Sequence, residues 1–145
     1  MPDADLRTNS HPRGHRAVEL NVAARLENLA MLRALVGAIG THEDLDVDAV
    51  ADLRLAVDEA CTRLICSATT GATLSLVIDP RDEQLVVQAY TACTTHDVVA
   101  RGSFSWHVLT SLADDVQTFQ DGCATDSAGS VFGIMLTARR VASNR

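Results

Sequence analysis

Apolar and polar residues alternate from Ala17 to Val22 (AVELNV), the period of a strand with one buried face. The period then changes. From Arg25 to Ile39 the apolar residues Leu26, Leu29, Leu32, Leu35, Val36 and Ile39 recur every three or four positions, as in an amphipathic helix, and Gly40 supplies a stop signal. A longer helical pattern follows, with Asp46 as its N-cap, Asp48 in its first turn and Leu53, Val57, Ala60 and Leu64 on its buried face. Thr70–Gly71 breaks it. Thr73–Ile78 and Leu85–Thr91 read as strands joined by the turn-forming DPRDEQ segment. Residues 94–102 read as a loop and Phe104–Leu112 as a short helix anchored by Trp106 and Leu109. Val116–Phe119 and Ser130–Thr137 read as strands, separated by a small-residue loop over 120–129.

The order β-α-α-β-β-α-β-β predicts an α+β two-layer sandwich, with helices packed on one face of a mixed, mostly antiparallel sheet. One domain over 16–140 suffices, with a polar flexible tail at 1–15 and a short flexible end at 141–145. Hydrophobic residues make up 47% of the 145-residue chain, enough for a packed core. Aromatics are only 3%, so Leu, Val, Ile and Ala must fill it.

The net charge of −7 argues against a phosphate-backbone binder and points instead to a protein partner. No apolar run reaches the roughly 20 residues of a membrane span, and the N-terminus lacks the apolar centre of a signal peptide. A cytoplasmic location is therefore expected. Cys61, Cys66, Cys93 and Cys123 match no metal spacing, so free thiols are the default. His42, His96 and His107 form no metal pattern, and no strand–turn–helix elbow frames Ser103 or Ser105 for hydrolase chemistry.

The stretch with most chemical content is AVDEACTRLICSA (Ala56 to Ala68), where Glu59 and Arg63 lie four apart on a helix. Read alone, the pair is a solvent-facing ion pair. LADDVQTF (Leu112 to Phe119), Gly129–Ser130 before VFGIML, and ENLAMLRALVGAIG (Glu27 to Gly40) complete a set of four strings. Together and in this order, they resemble the bacterial anti-sigma factor serine kinases of the RsbW and SpoIIAB type, small relatives of the histidine-kinase ATPase domain (the GHKL group). The resemblance spans about Ala17 to Arg139.

The resemblance implies the fold predicted above and a role for Glu59 as general base, taking a proton from an attacking serine hydroxyl. Arg63 stands where the family pattern has a magnesium-binding asparagine. A guanidinium has donors and no acceptor, so it either holds phosphate oxygens directly or only neutralises Glu59. Ser67 replaces the family's nearby histidine. The adenine motif Asp-x-Gly-x-Gly falls near Thr91–Asp97 without its glycines, leaving Asp97 as the one carboxylate for the adenine contact. Of the second glycine motif only Gly102 remains, and bulky Phe104 and Trp106 are expected to fill space a triphosphate needs. The cofactor-binding candidates are thus Glu59, Arg63, Asp97 and Gly102. They imply ATP held weakly or atypically, with ordinary magnesium binding lost.

The resemblance further implies sequestration of a stress-response sigma factor of the sigma-F type, release by anti-sigma factor antagonists, and a homodimer. Arg33 and Glu27 match the family's partner-binding positions, and both are expected on an exposed helix face. Two other readings stand beside this one: an active ATP-dependent serine kinase acting on its antagonist, and an unrelated α/β protein-binding module sharing only the architecture.

Overall fold

The computed structural model describes residues 13–95, 97–121 and 130–140. The alternating segments become β1 (Val18–Ala23), β2 (Thr73–Pro80), β3 (Gln84–Cys93), β4 (Asp115–Asp121) and β5 (Ser130–Arg139). They form one sheet of order β1-β2-β3-β5-β4, and every pairing in it is antiparallel. The helical segments become α1 (Leu29–His42), α2 (Val47–Ser67) and α3 (Phe104–Leu112), with a short 3₁₀ turn at Leu26–Asn28 leading into α1. The expected loop at 120–129 begins later, because Gln120 and Asp121 pair within β4. Residues 122–129, which include Cys123 and Gly129, lie outside the described residues, as do His96, 1–12 and 141–145.

Register explains why the helices sit on one face. Val18, Ile78, Val87, Leu136 and Val116 stand in one cross-strand row, and Leu20, Leu76, Ala89 and Ile134 in the next. Apart from Val18, which is exposed at the sheet's edge, both rows pack with Leu32 and Val36 of α1, Leu53, Ala56, Val57, Ala60 and Leu64 of α2, and Leu109 of α3. Each fully buried Leu, Ile or Val contributes about 1.5–3 kcal/mol from water exclusion. The opposite face carries the alternate residues, among them Asn21, Ser75, Tyr90, Gly133 and Phe119 in one row.

Gly40 does not stop the first helix. α1 runs on to His42, and Gly40 is buried against α2, where an added Cβ would lie 3.1 Å from Val50 Cγ2. The chain reverses instead at Asp44, whose φ is 62°. Asp46 then caps α2 as expected, its carboxylate accepting from the Ala49 N–H at 2.7 Å.

A buried carboxylate ties the end of α1 to two distant segments. Glu43, with only 8% of its side chain exposed, accepts from Arg140 Nη2 at 2.6 Å and from Arg16 Nη1 at 3.2 Å. Arg140 also donates Nη1 to the Glu43 carbonyl at 2.6 Å and Nε to the Arg81 carbonyl at 2.9 Å. Nearby, the Gly14 N–H donates to both oxygens of Asp79, so residues 13–16 are pinned to the sheet. The hydrogen bond from Arg140 holds the Glu43 carboxyl below the ordinary carboxylate range. Its folded pKa is therefore depressed, and its stabilisation is full above the unfolded value and is lost as pH falls through the folded one. Glu43→Gln is expected to lower the unfolding free energy at pH 7 by about 1–3 kcal/mol. Urea titrations should show this deficit shrinking below about pH 4. A deficit independent of pH would show that the charge contributes nothing.

Candidate functional site

α2 presents one face to the core and turns Glu59 toward α3. Ser103 caps α3 by accepting from the Trp106 N–H at 3.1 Å, which places Ser105 in the first turn of that helix. From there Ser105 Oγ donates to Glu59 Oε2 at 2.6 Å. Arg63 Nε lies 3.7 Å from the same oxygen, and the Glu59 side chain is 26% exposed. Three side chains therefore meet at one carboxylate: a hydroxyl donor, a guanidinium and the acceptor between them. Both contacts fall on Oε2, so Oε1 keeps its own acceptor sites for a further donor.

The other candidates are held differently. Asp97 is exposed in the connection between β3 and α3, and its N–H donates to Thr95 Oγ1 at 3.2 Å. Gly102 has a φ of 85° with open space around it, a left-handed turn that feeds the chain into α3. Phe104, at the start of α3, is 81% exposed to solvent. Trp106 does turn inward, half-buried against the core, with the Arg101 guanidinium 5.1 Å from its ring centroid. Ser67, at the last position of α2, uses its carbonyl to accept from the Thr94 N–H at 3.1 Å.

Arg63 has no acceptor atom to offer a cation, so it does not fit the role of a magnesium ligand. Ser105 is the site residue that sequence reasoning missed: it stands 46 residues from Glu59, and no spacing rule links them.

Glu27 and Arg33 lie apart from this group. Glu27 is exposed in the 3₁₀ turn and pairs with Arg25 at 3.3 Å, a contact worth little in water. Arg33 is not a free surface cation. Its Nη1 donates to Asp58 Oδ1 of α2 at 2.5 Å, with 39% of the side chain exposed. Asp58 immediately precedes Glu59, so the two carboxylates leave α2 on different sides, one toward α1 and one toward α3.

Among the described cysteines, Cys61, Cys66 and Cys93 are free thiols, as expected. Burial pushes the Cys61 thiol up to about 12 and the Cys93 thiol up to about 11, so both stay protonated and unreactive near neutral pH. Cys66 is exposed. No described helix is long and apolar enough to cross a membrane.

No family model matches the chain. Known proteins do. The chain is 74% identical over all of its 145 residues to the anti-sigma-F factor RsbW of Mycobacterium tuberculosis, in both strain CDC 1551 / Oshkosh and strain ATCC 25618 / H37Rv, covering 86% of each relative. It is 24% identical over 123 residues to the serine-protein kinase RsbW of Bacillus pumilus (strain SAFR-032), a match spanning 69% of this chain and 76% of that relative. Identity at this level over the whole chain, on an antiparallel sheet with helices on one face, is decisive for descent: the chain belongs to the RsbW family of anti-sigma factors.

Proposed function

We propose that this chain represses transcription by sequestering a sigma-F-type stress sigma factor in the cytoplasm, and that antagonist proteins release it by competing for an overlapping surface. The observation that carries this reading is the 74% identity, over the full chain, to proteins named anti-sigma-F factor. Binding and competition need no hydrolysis. The donor-only Arg63, which can neutralise Glu59 and cannot ligate a cation, supports a site whose nucleotide chemistry is weak or lost. ATP binding there is weak or atypical, without the usual magnesium ligand. Glu27 and Arg33 form part of the partner surface, and the chain self-associates as a homodimer through the helix-free face of the sheet, where Tyr90 and Phe119 lie.

A second reading is an active serine kinase that phosphorylates an antagonist. It is favoured by the retained Glu59 and by the name of the Bacillus pumilus relative. One set of purified components separates the two. On gel filtration the chain alone is expected to elute as a dimer, and with a sigma-F-type sigma factor as a complex that forms without nucleotide. Labelled ATP with an antagonist and magnesium is expected to leave the antagonist unlabelled. Serine labelling that Glu59→Ala abolishes would establish the kinase instead, and failure to bind the sigma factor would end the sequestration reading.

A further inference from the structure

We propose that an exposed row on α2, Val47–Ala51–Leu55, is a docking ridge for a basic amphipathic helix of the sequestered protein. This rests on the sequestration reading above and extends the partner surface from α1 onto α2. Residues four apart on a helix stack into a single ridge, and such ridges seat in the grooves of a crossing helix. Val47 is 82% exposed and Leu55 57%, with the small, exposed Ala51 between them. The buried face of α2, formed by Leu53, Ala56, Val57, Ala60 and Leu64, points the other way, so core packing does not account for these apolar choices.

Charge selects the occupant. Asp48 and Asp52 follow Val47 and Ala51 by one residue each, flank the ridge, and are exposed without an ion pair among the described residues. On the other flank one cation is paired and the other, though exposed, lies over α1. Arg33 is paired with Asp58, and the Arg54 stem lies over α1, its Cδ 3.2 Å from where a Gly37 Cβ would stand. The ridge is thus an apolar row with open carboxylates along one side. It complements a helix carrying leucine-type residues four apart and lysine or arginine beside them. A second copy of this chain suits it poorly, because a two-fold pairing would bring the Asp48 and Asp52 carboxylates of both copies together.

The test uses the full chain and a purified sigma-F-type sigma factor, with affinity measured by calorimetry. Ala51→Glu combined with Leu55→Glu is expected to weaken binding roughly 30-fold, the loss of one buried hydrophobic anchor. Both positions are exposed, so the thermal midpoint and circular dichroism should hold. Asp48→Lys combined with Asp52→Lys should also weaken binding and flatten its dependence on salt, and this pair keeps the test valid if the first variant folds poorly. Undiminished affinity in both variants, with the wild type binding, overturns the ridge alone. If instead the glutamate variant changes the oligomeric state and not the affinity, the ridge belongs to a second copy and the proposal fails. A wild type that does not bind removes the sequestration reading and the ridge with it.

Discussion

Arg33→Glu is expected to weaken sigma-factor binding by roughly 100-fold, about 2.7 kcal/mol, while the domain stays folded. The guanidinium is half-exposed between α1 and α2, and Asp58 engages it through Nη1 at 2.5 Å. A guanidinium has five N–H donors, so it can hold Asp58 and still donate to a partner carboxylate. Reversal to glutamate removes those donors from the partner and sets a second carboxylate beside Asp58. The internal part of this loss is small, about 1 kcal/mol, because the pair is partly solvated. The double variant Arg33→Glu with Asp58→Arg separates the two effects. It restores an opposite-charge pair between the helices, so urea stability should recover, yet it presents the wrong sign to the partner, so affinity should not. Full affinity in the single variant would remove Arg33 from the partner surface. Affinity restored in the double variant would mean that Arg33 acts only through the α1–α2 contact.

Gly133→Ala is expected to cost about 3 kcal/mol of stability, the upper end of the overpacking range. Gly133 sits in β5 directly between Tyr90 of β3 and Phe119 of β4. The Phe119 ring lies flat over the glycine: an added Cβ would stand 2.0 Å from Cζ and 2.5 Å from both Cε atoms. Its centroid is 6.3 Å from that of Tyr90 at 58°, a tilted aromatic contact. A methyl group must therefore expel the ring, forfeiting both its cover of the backbone and its contact with Tyr90. The double variant Phe119→Ala with Gly133→Ala tests the cause. Once the ring is gone the methyl group has room, so Gly133→Ala should then cost a few tenths of a kcal/mol at most. An equal cost in both backgrounds would place the penalty in the backbone of β5.

Much of this architecture was legible in the one-dimensional pattern. The period-3.6 runs located the three helices because each buries one face, alternation located β1, and β2, β3 and β5, buried along consecutive residues, were legible as short apolar runs bounded by turn residues. The Asp46 cap was legible for a similar local reason, since its carboxylate bonds to an N–H three residues on. The stop at Gly40 was misread. Helix-ending glycines and glycines that let two helices approach look alike in sequence, and the contact with Val50 is what makes Gly40 the second kind.

By itself, then, the sequence determined the element order, the core-facing positions, the kinship carried by its four strings, and the chemical fact that Arg63 cannot ligate a cation. Those follow from short-range periodicity and from side-chain chemistry, which need no knowledge of neighbours. Only the tertiary structure decided that Ser105 donates to Glu59, that Arg33 is shared with Asp58, and that Gly133 lies under Phe119. Each of these joins side chains on separate elements. Their distances are set by how helices and strands pack, and no local pattern encodes that packing.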